Sequence, residues 1–276
     1  MTFNFCGLIF YEAFPKRVIL KGSLSHTPFL CIRVVTKGIY PTLVLENIKK
    51  NLDTCTNIGL RNFIIEVVTD KAVNPPHHEK LREIVVPSEY ETKNGTLYKA
   101  RALHYCWEEG INKLDDSDWV VHLDEETLLT EDAVRGILNF AMNDNHTCGQ
   151  GLITYANGEI VNWLTTFADT YRVAADMGMY RFQFKAFHKS YHGWKGSYMV
   201  LKASTEKHVS FDNGLEGSII EDGYFAIKAS SKGYSFDFIE GEMWEMSPFT
   251  VLDFMKQRKR WLQGTLVPGQ DYFRFR

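Results

Sequence analysis

Four short stretches of this sequence carry side chains whose types and spacing suit chemistry. His122-Leu123-Asp124-Glu125-Glu126-Thr127 ends an apolar run in three consecutive carboxylates. Acids this close repel one another and call for a cation. A hard divalent ion with oxygen ligands suits them, above all one shared with phosphates. An acidic loop capping the next helix is the plainer account. Ile219-Ile220-Glu221-Asp222-Gly223 sets two acids at a helix start. Acids there oppose the helix dipole, and a general base that takes a proton from a hydroxyl has the same appearance. In Gln257-Arg258-Lys259-Arg260-Trp261 two guanidinium groups lie two residues apart, with an indole next to them. Such groups clamp a diphosphate and stack on a sugar, although an ordinary basic helix end has the same composition. Lys99-Ala100-Arg101-Ala102-Leu103 is a basic pair on an apolar helix, and by itself reads as solvated surface.

The elements that must position these residues alternate. Phe29–Thr36, Phe63–Thr69 and Trp119–Leu123 are short apolar runs of the kind buried on both faces of a sheet. Shorter strands are expected around Ile84–Val86, Gly151–Tyr155, Ser197–Leu201 and Phe236–Ile239. Helices are expected from Pro41 to Leu52 with Leu45, Ile48 and Leu52 on one face, from Thr96 to about Glu109, from a Thr130 cap with Glu131 and Asp132 in its first turn, from Glu221 to about Ser231, and from Pro248 onward. This order predicts an α/β fold with a mostly parallel sheet and helices on both faces. Ligands of such sheets bind beyond the carboxyl ends of the strands. That rule gathers Thr36-Lys37, Asp70 and Asp124, each just past a strand end.

The 276 residues suffice for one large domain with a small appendage. The net charge of −3 argues against a general nucleic-acid binder. The five cysteines, Cys6, Cys31, Cys55, Cys106 and Cys148, are odd in number and lack CxxC spacing. They read as reduced, mostly buried thiols, which favours the cytosolic side of any membrane. His77-His78 and the other histidines form no metal-ligand spacing. Phe3–Phe14 is apolar but short, interrupted by Asn4 and Glu12. It reads either as the remnant of a membrane segment or as an element that covers the core.

In order along the chain, Asp70, Lys-x-Arg-Ala-Leu, Asp-x-Glu, Gly-Trp-x-Gly at Gly193–Gly196, Glu-Asp and Gln-x-x-Arg-Trp resemble glycosyltransferase family two, which includes cellulose, chitin and hyaluronan synthases. CIRVVTKGIYP, VVHLDEET, SYHGWKGSYMVL, IIEDGYFAIKASSKGYSFDFIEG and MKQRKRWLQG are similar to the Egghead-type β-1,4-mannosyltransferases of invertebrates. The resemblance implies a GT-A-type, Rossmann-like domain over residues 29–264, with a nucleotide-sugar half (29–155) and an acceptor half (156–264). An N-terminal extension (1–28) and a divergent tail (265–276) flank it. It also implies GDP-mannose as donor, glucosylceramide as glycolipid acceptor, membrane-spanning segments on both sides, and membrane association in the ER or Golgi with the catalytic domain cytosolic.

The mechanism expected on that basis is inverting. Asp124 and Glu126 hold Mn²⁺ or Mg²⁺ against the diphosphate. Arg258 and Arg260 add cationic stabilisation, and Thr36, Lys37 and Asp70 hold the nucleoside. Lys99 or Arg101 contacts donor hydroxyls or phosphate. Asp222, with Glu221 beside it, deprotonates the acceptor hydroxyl. Gly193, Trp194, Gln257 and Trp261 bind the acceptor. The aromatic and basic residues between Trp163 and Trp194 suit either a helix at a membrane interface or an aromatic core. Two rival readings remain: a processive polysaccharide synthase using a UDP-sugar, and a shortened, catalytically silent nucleotide-sugar binder.

Overall fold

The computed structural model describes residues 2–12, 17–157 and 160–266. An eight-stranded sheet runs through it in the order β3-β2-β1-β4-β7-β6-β8-β5. The strands are β1 (Leu30–Thr36), β2 (Phe63–Thr69), β3 (Leu81–Val85), β4 (Trp119–Asp124), β5 (Thr127–Leu128), β6 (Cys148–Thr154), β7 (Met199–Lys202) and β8 (Phe236–Glu245). The pairs β3-β2, β2-β1, β1-β4 and β6-β8 are parallel, and β7 is antiparallel to both its neighbours. β1, β2, β4, β6 and β8 therefore all end at one edge of the sheet. The antiparallel β7 begins there.

Helices cover both faces. On one, α2 (Pro41–Asn57) and α4 (Glu131–Asn143) pack Val44, Ile48, Val134 and Ile137 onto Ile32, Ile65, Val121 and Leu123. The apolar alternation of the strands delivers these residues to a single face. On the other face, α3 (Tyr98–Tyr105), α6 (Ala203–Val209) and, after the short α7 (Glu216–Ile219), α8 (Glu221–Ser231) supply Leu103, Val209 and Phe225. Thr130 caps α4 as expected, its side chain accepting from the Ala133 N–H. Gly136 lets α4 approach β8: a Cβ there would lie 1.8 Å from the Glu240 carbonyl oxygen.

Three expectations need correction. The buried face of α2 is Val44, Asn47, Ile48, Asn51 and Cys55, with Leu45 and Leu52 only half-buried. Two asparagines replace apolar residues because they tie down the acidic loop described below. The central strands are not apolar on both faces either. Arg33, Glu66 and His122 form a buried ionic layer with Glu206 of α6. Arg33 Nε donates to Glu66 (3.0 Å), its Nη1 donates to Glu206 (3.2 Å), and His122 Nε2 lies 2.7 Å from Glu206. Finally, β8 runs six residues past Ile239. A bulge between Gly151↔Ile239 and Leu152↔Glu242 adds residues to β8, and Gly241, at φ +97°, makes the turn.

Residues 2–10 form helix α1 (Thr2–Phe10), which packs across the aromatic segment around Phe182 and Phe187. Phe3 lies 5.2 Å from Phe182 and 5.4 Å from Phe187, ring to ring. Phe5, Leu8, Ile9 and Phe10 of this helix remain exposed. Among the described residues no helix is long and apolar enough to cross a membrane. The tail from 267 onward lies outside the described residues.

Candidate active site

A cleft of about 1230 Å³ opens at the carboxyl edge of the sheet. β1 contributes Thr36, with Lys37 next; Asp70 follows β2; Asp124 ends β4, with Glu126 beyond it; and Glu245 ends β8. The start of β7 adds the preceding loop, Gly193-Trp194-Lys195-Gly196-Ser197. The N-terminal turns of α3 and α8 add Lys99, Glu221 and Asp222. Helix α9 (Val251–Leu266) closes one side with Gln257, Arg260 and Trp261.

Lys99 sits among the acids. Its Nζ donates to Asp124 in a short contact and to the Gly196 carbonyl at 2.8 Å, and lies 3.9 Å from Glu221 Oε1. Burial alone would lower its pKa, yet Asp124 and Glu221 outweigh that and raise it. Gly196 is the point of closest approach. A Cβ on it would lie 3.3 Å from both Asp222 Oδ2 and Glu221 Oε1 and 3.4 Å from Lys99 Nζ. Asp124 and Asp222, nearly a hundred residues apart in sequence, therefore face one space across a single ammonium group.

The acidic loop is rigidly held. Thr36 Oγ1 donates to Glu125, Asn47 Nδ2 to the Glu125 carbonyl (2.9 Å) and Asn51 Nδ2 to the Thr127 carbonyl (3.1 Å). Asn51 Oδ1 accepts from the Leu129 N–H at 2.7 Å, and Thr127 and Ser197 share a hydroxyl contact of 2.8 Å. Burial and neighbouring acids push several carboxyls up. Glu126 is raised well above its usual range by burial, Asp124 and Glu245. Glu221 is raised to about 7 by burial and Asp222, against Lys99. Glu245 is raised to about 7 by burial, with Arg172 opposing and Asp124 adding. Asp222 is raised by burial, against the Gly223 N–H that donates to it.

Of the residues picked out from sequence, Arg101 and Arg258 point elsewhere. Arg101 donates to Asp70 (2.7 Å) and to the carbonyls of Pro87 and Tyr90 (3.1 Å each), so it stands behind Asp70 and Lys99 alone of the pair reaches the cleft. Arg258 pairs with Asp169, because residues 257, 260 and 261 share a helix face that 258 does not. Trp194 touches the cleft wall, but the residue is only 4% exposed and its ring meets those of Phe184 and Phe236 edge to face. It has no open face for stacking. Phe184 is fully buried, and Phe182 is half-buried against α1. The exposed aromatics of that stretch are Trp163, Phe167 and Tyr171 on α5 (Trp163–Ala175), together with Phe187 and Tyr191 further along.

Sequence reasoning missed Glu245, Arg172, Lys195 and Tyr180. Glu245 obeys the same strand-end rule as Asp124, but the bulge hides its strand. Lys195 pairs with Asp176, and Tyr180 and Asp176 belong to a π-helical turn (Asp176–Tyr180) that follows α5. Such turns cluster at functional sites, and neither spacing nor composition marks one. Among the described residues no three His, Cys, Asp or Glu side chains converge as a metal-binding group.

Comparison with known proteins identifies the family and the fold. The chain is 63% identical over 267 residues to Beta-1,4-mannosyltransferase egh of Drosophila melanogaster, covering 97% of this chain and 58% of that protein. It is 59% identical over 264 residues to Beta-1,4-mannosyltransferase bre-3 of Caenorhabditis elegans, covering 96% and 58%. It thus spans less than two thirds of the length of these relatives. The mannosyltransferase PcManGT from Pyrobaculum calidifontis, solved with GDP-Man and Mn²⁺, superposes with a TM-score of 0.59 over 98% of this chain and 73% of that one. At 15% identity that likeness is one of fold, of the GT-A type. Residues 119–276 match the family described as Glycosyl transferase family group 2, more than half of the sequence, and the chain belongs to that family.

Proposed function

We propose that this chain carries the catalytic site of an inverting β-1,4-mannosyltransferase that moves mannose from GDP-mannose to a glycolipid such as glucosylceramide. The observation that carries the reading is the acid pair: Asp124 and Asp222 open on one cleft with Lys99 between them. The names of the relatives, and the GDP-Man held by the fold neighbour, support the donor and the linkage.

A divalent cation fits the donor set. Asp124 and Glu126 are hard oxygen ligands whose mutual repulsion a cation would relieve, and diphosphate oxygens would complete the coordination. Such an ion, Mn²⁺ or Mg²⁺, would neutralise charge on the departing diphosphate. The chain's own groups do the rest. Thr36, Lys37 and Asp70, braced by Arg101, hold the nucleoside. Arg260 adds positive charge from α9. Asp222 takes the proton of the acceptor hydroxyl; the oxygen bonds to the anomeric carbon as the bond from that carbon to phosphate oxygen breaks, and GDP leaves. Burial makes Asp222 a stronger base than a solvated carboxylate. Gln257, whose buried Oε1 has no hydrogen-bond partner among the described residues, and Trp261 meet the acceptor.

The membrane-facing side in this reading is the outer face of α5, with Trp163, Leu164, Phe167 and Tyr171, continued by Leu252 and Met255 of α9. Tyr171 also lines the cleft, so a lipid-linked sugar would reach the acids from that side. Location at the cytosolic face of the ER or Golgi follows from the resemblance. The test is a product assay with GDP-mannose, Mn²⁺ and glucosylceramide, set beside UDP-sugars and an Asp222→Asn variant. A β-linked mannosyl product is expected, with turnover reduced about 10²–10⁴-fold in the variant and GDP affinity preserved. Transfer from a UDP-sugar instead, or no transfer at all, would refute the reading; equal loss of donor affinity and rate would make Asp222 a donor ligand.

A further inference from the structure

α9 reaches the cleft as the arm of a joint whose other half is α5. Asp169, in the middle of α5, is fully buried. Its Oδ1 accepts from Arg258 Nη2 and lies 3.6 Å from Arg172 Nη1. The Arg258 guanidinium is also held between two rings of its own helix, 4.3 Å from the Phe254 centroid and 4.0 Å from that of Trp261. Arg172 repeats the arrangement from the α5 side, 4.8 Å from Trp261 and 4.9 Å from Tyr155, with Glu245 at 3.8 Å. Two guanidiniums and one indole therefore interleave around a single buried carboxylate.

A buried carboxylate is tolerated only with cationic partners of good geometry, so the pair fixes the approach of α9 to α5 closely. The direction of each side chain follows from the helix. Residues 254, 258 and 261 fall on the face toward α5, whereas 257, 260 and 261 fall on the face toward the cleft. Trp261 belongs to both faces and links them.

We infer that Asp169, with Arg172, is the positioning residue for α9, and that Arg258 acts as a strut to Asp169 while Arg260 is the arginine presented to the donor diphosphate. This rests on the mannosyl-transfer reading for the identity of the ligand at Arg260, but not for the strut itself. The motif's two arginines thus divide their labour. One sets where the helix stands, and the other uses that placement. Loss of the strut should loosen α9 without removing a donor contact.

The experiment compares Arg258→Gln, Asp169→Asn, their double variant and Arg260→Gln. Amide hydrogen exchange over residues 251–263 reports the docking of α9, and calorimetric binding of GDP with Mn²⁺ reports the donor site. Arg258→Gln and Asp169→Asn should each speed α9 exchange by about tenfold, and the double variant should go no further than either single one. GDP affinity should fall by no more than about threefold in both, against more than about tenfold in Arg260→Gln. Multiplicative effects on exchange in the double variant would overturn the inference. So would an Arg258→Gln variant that loses GDP as Arg260→Gln does while α9 stays protected. Arg258 lies partly at the surface, so its variant folds even where Asp169→Asn does not, and its two readouts alone separate strut from ligand. If the unaltered chain binds no GDP, the proposed function falls, and the exchange result still decides this point.

Discussion

Replacing Glu221 with Gln should stabilise the metal-free protein at alkaline pH and leave it unchanged at acid pH. Glu221 has an ordinary pKa of 4.5, raised here to about 7, and its side chain is 15% exposed. A carboxyl whose folded pKa lies above its unfolded value holds its proton better when folded. Its ionisation therefore costs stability as pH rises from about 4.5 to about 7, and the full cost applies above that. A shift of this size corresponds to about 3 kcal/mol. At roughly 2–4 °C per kcal/mol for a chain of this size, that is roughly 6–12 °C in Tm. Gln keeps the shape and cannot ionise, so the variant escapes the cost.

The assay is thermal unfolding followed by circular dichroism in chelator, from pH 5 to pH 8.5, on both proteins. The difference between them is the quantity that matters, because other groups titrate too. His122, His146 and His192 have lowered pKa values, led by burial, and they favour the unfolded state as pH falls below 6.5. Those contributions cancel between the two proteins. Glu221 faces Asp222, Lys99 and Asp124, so the curve belongs to this group of charges and not to a lone carboxyl. A constant difference at every pH, or a wild type that gains on the variant as pH rises, would refute the electrostatic account of the cleft.

Asp124→Ala should abolish Mn²⁺-dependent binding of GDP, read by calorimetry with and without the ion, while leaving the fold intact; unchanged binding would reject its assignment. Gly136→Ala should destabilise by about 1–3 kcal/mol in chemical denaturation, although alanine is the better helix former, because the new methyl would meet the Glu240 carbonyl of β8. A Phe167→Ser/Tyr171→Ser variant should float less with liposomes than the unaltered chain. Undiminished flotation would remove α5 from the membrane-facing surface.

Much of the fold is legible because strands and helices signal by periodicity. β1, β2 and β4 read as short apolar runs, α4 announces its start through Thr130, and the strand-end rule brings Thr36, Asp70 and Asp124 to one edge. What periodicity does not show is a polar residue with a buried partner. Asn47 and Asn51 sit on the core face of α2 because Glu125, Thr127 and Leu129 need their backbone groups paired. Arg33 and Glu66 face inward from apolar strands because Glu206 and His122 meet them there. Each partner comes from a distant element, so no local window contains the reason.

The candidate site repeats that division. Acids that terminate an apolar strand advertise themselves, since a carboxylate at such a place has few structural duties; acids that open a helix do not, because they also oppose its dipole. Arginines do not. Arg101 and Arg258 look as available as Lys99 and Arg260 in the sequence, and only the fold reveals that Asp70 and Asp169 already hold them. Glu245 was hidden for the opposite reason: the bulge at Gly241 breaks the alternation of β8 just before the residue that reaches the cleft. A strand interrupted near its end, at an edge where neighbouring strands end in acids that line a cleft, is therefore a place to look for one more.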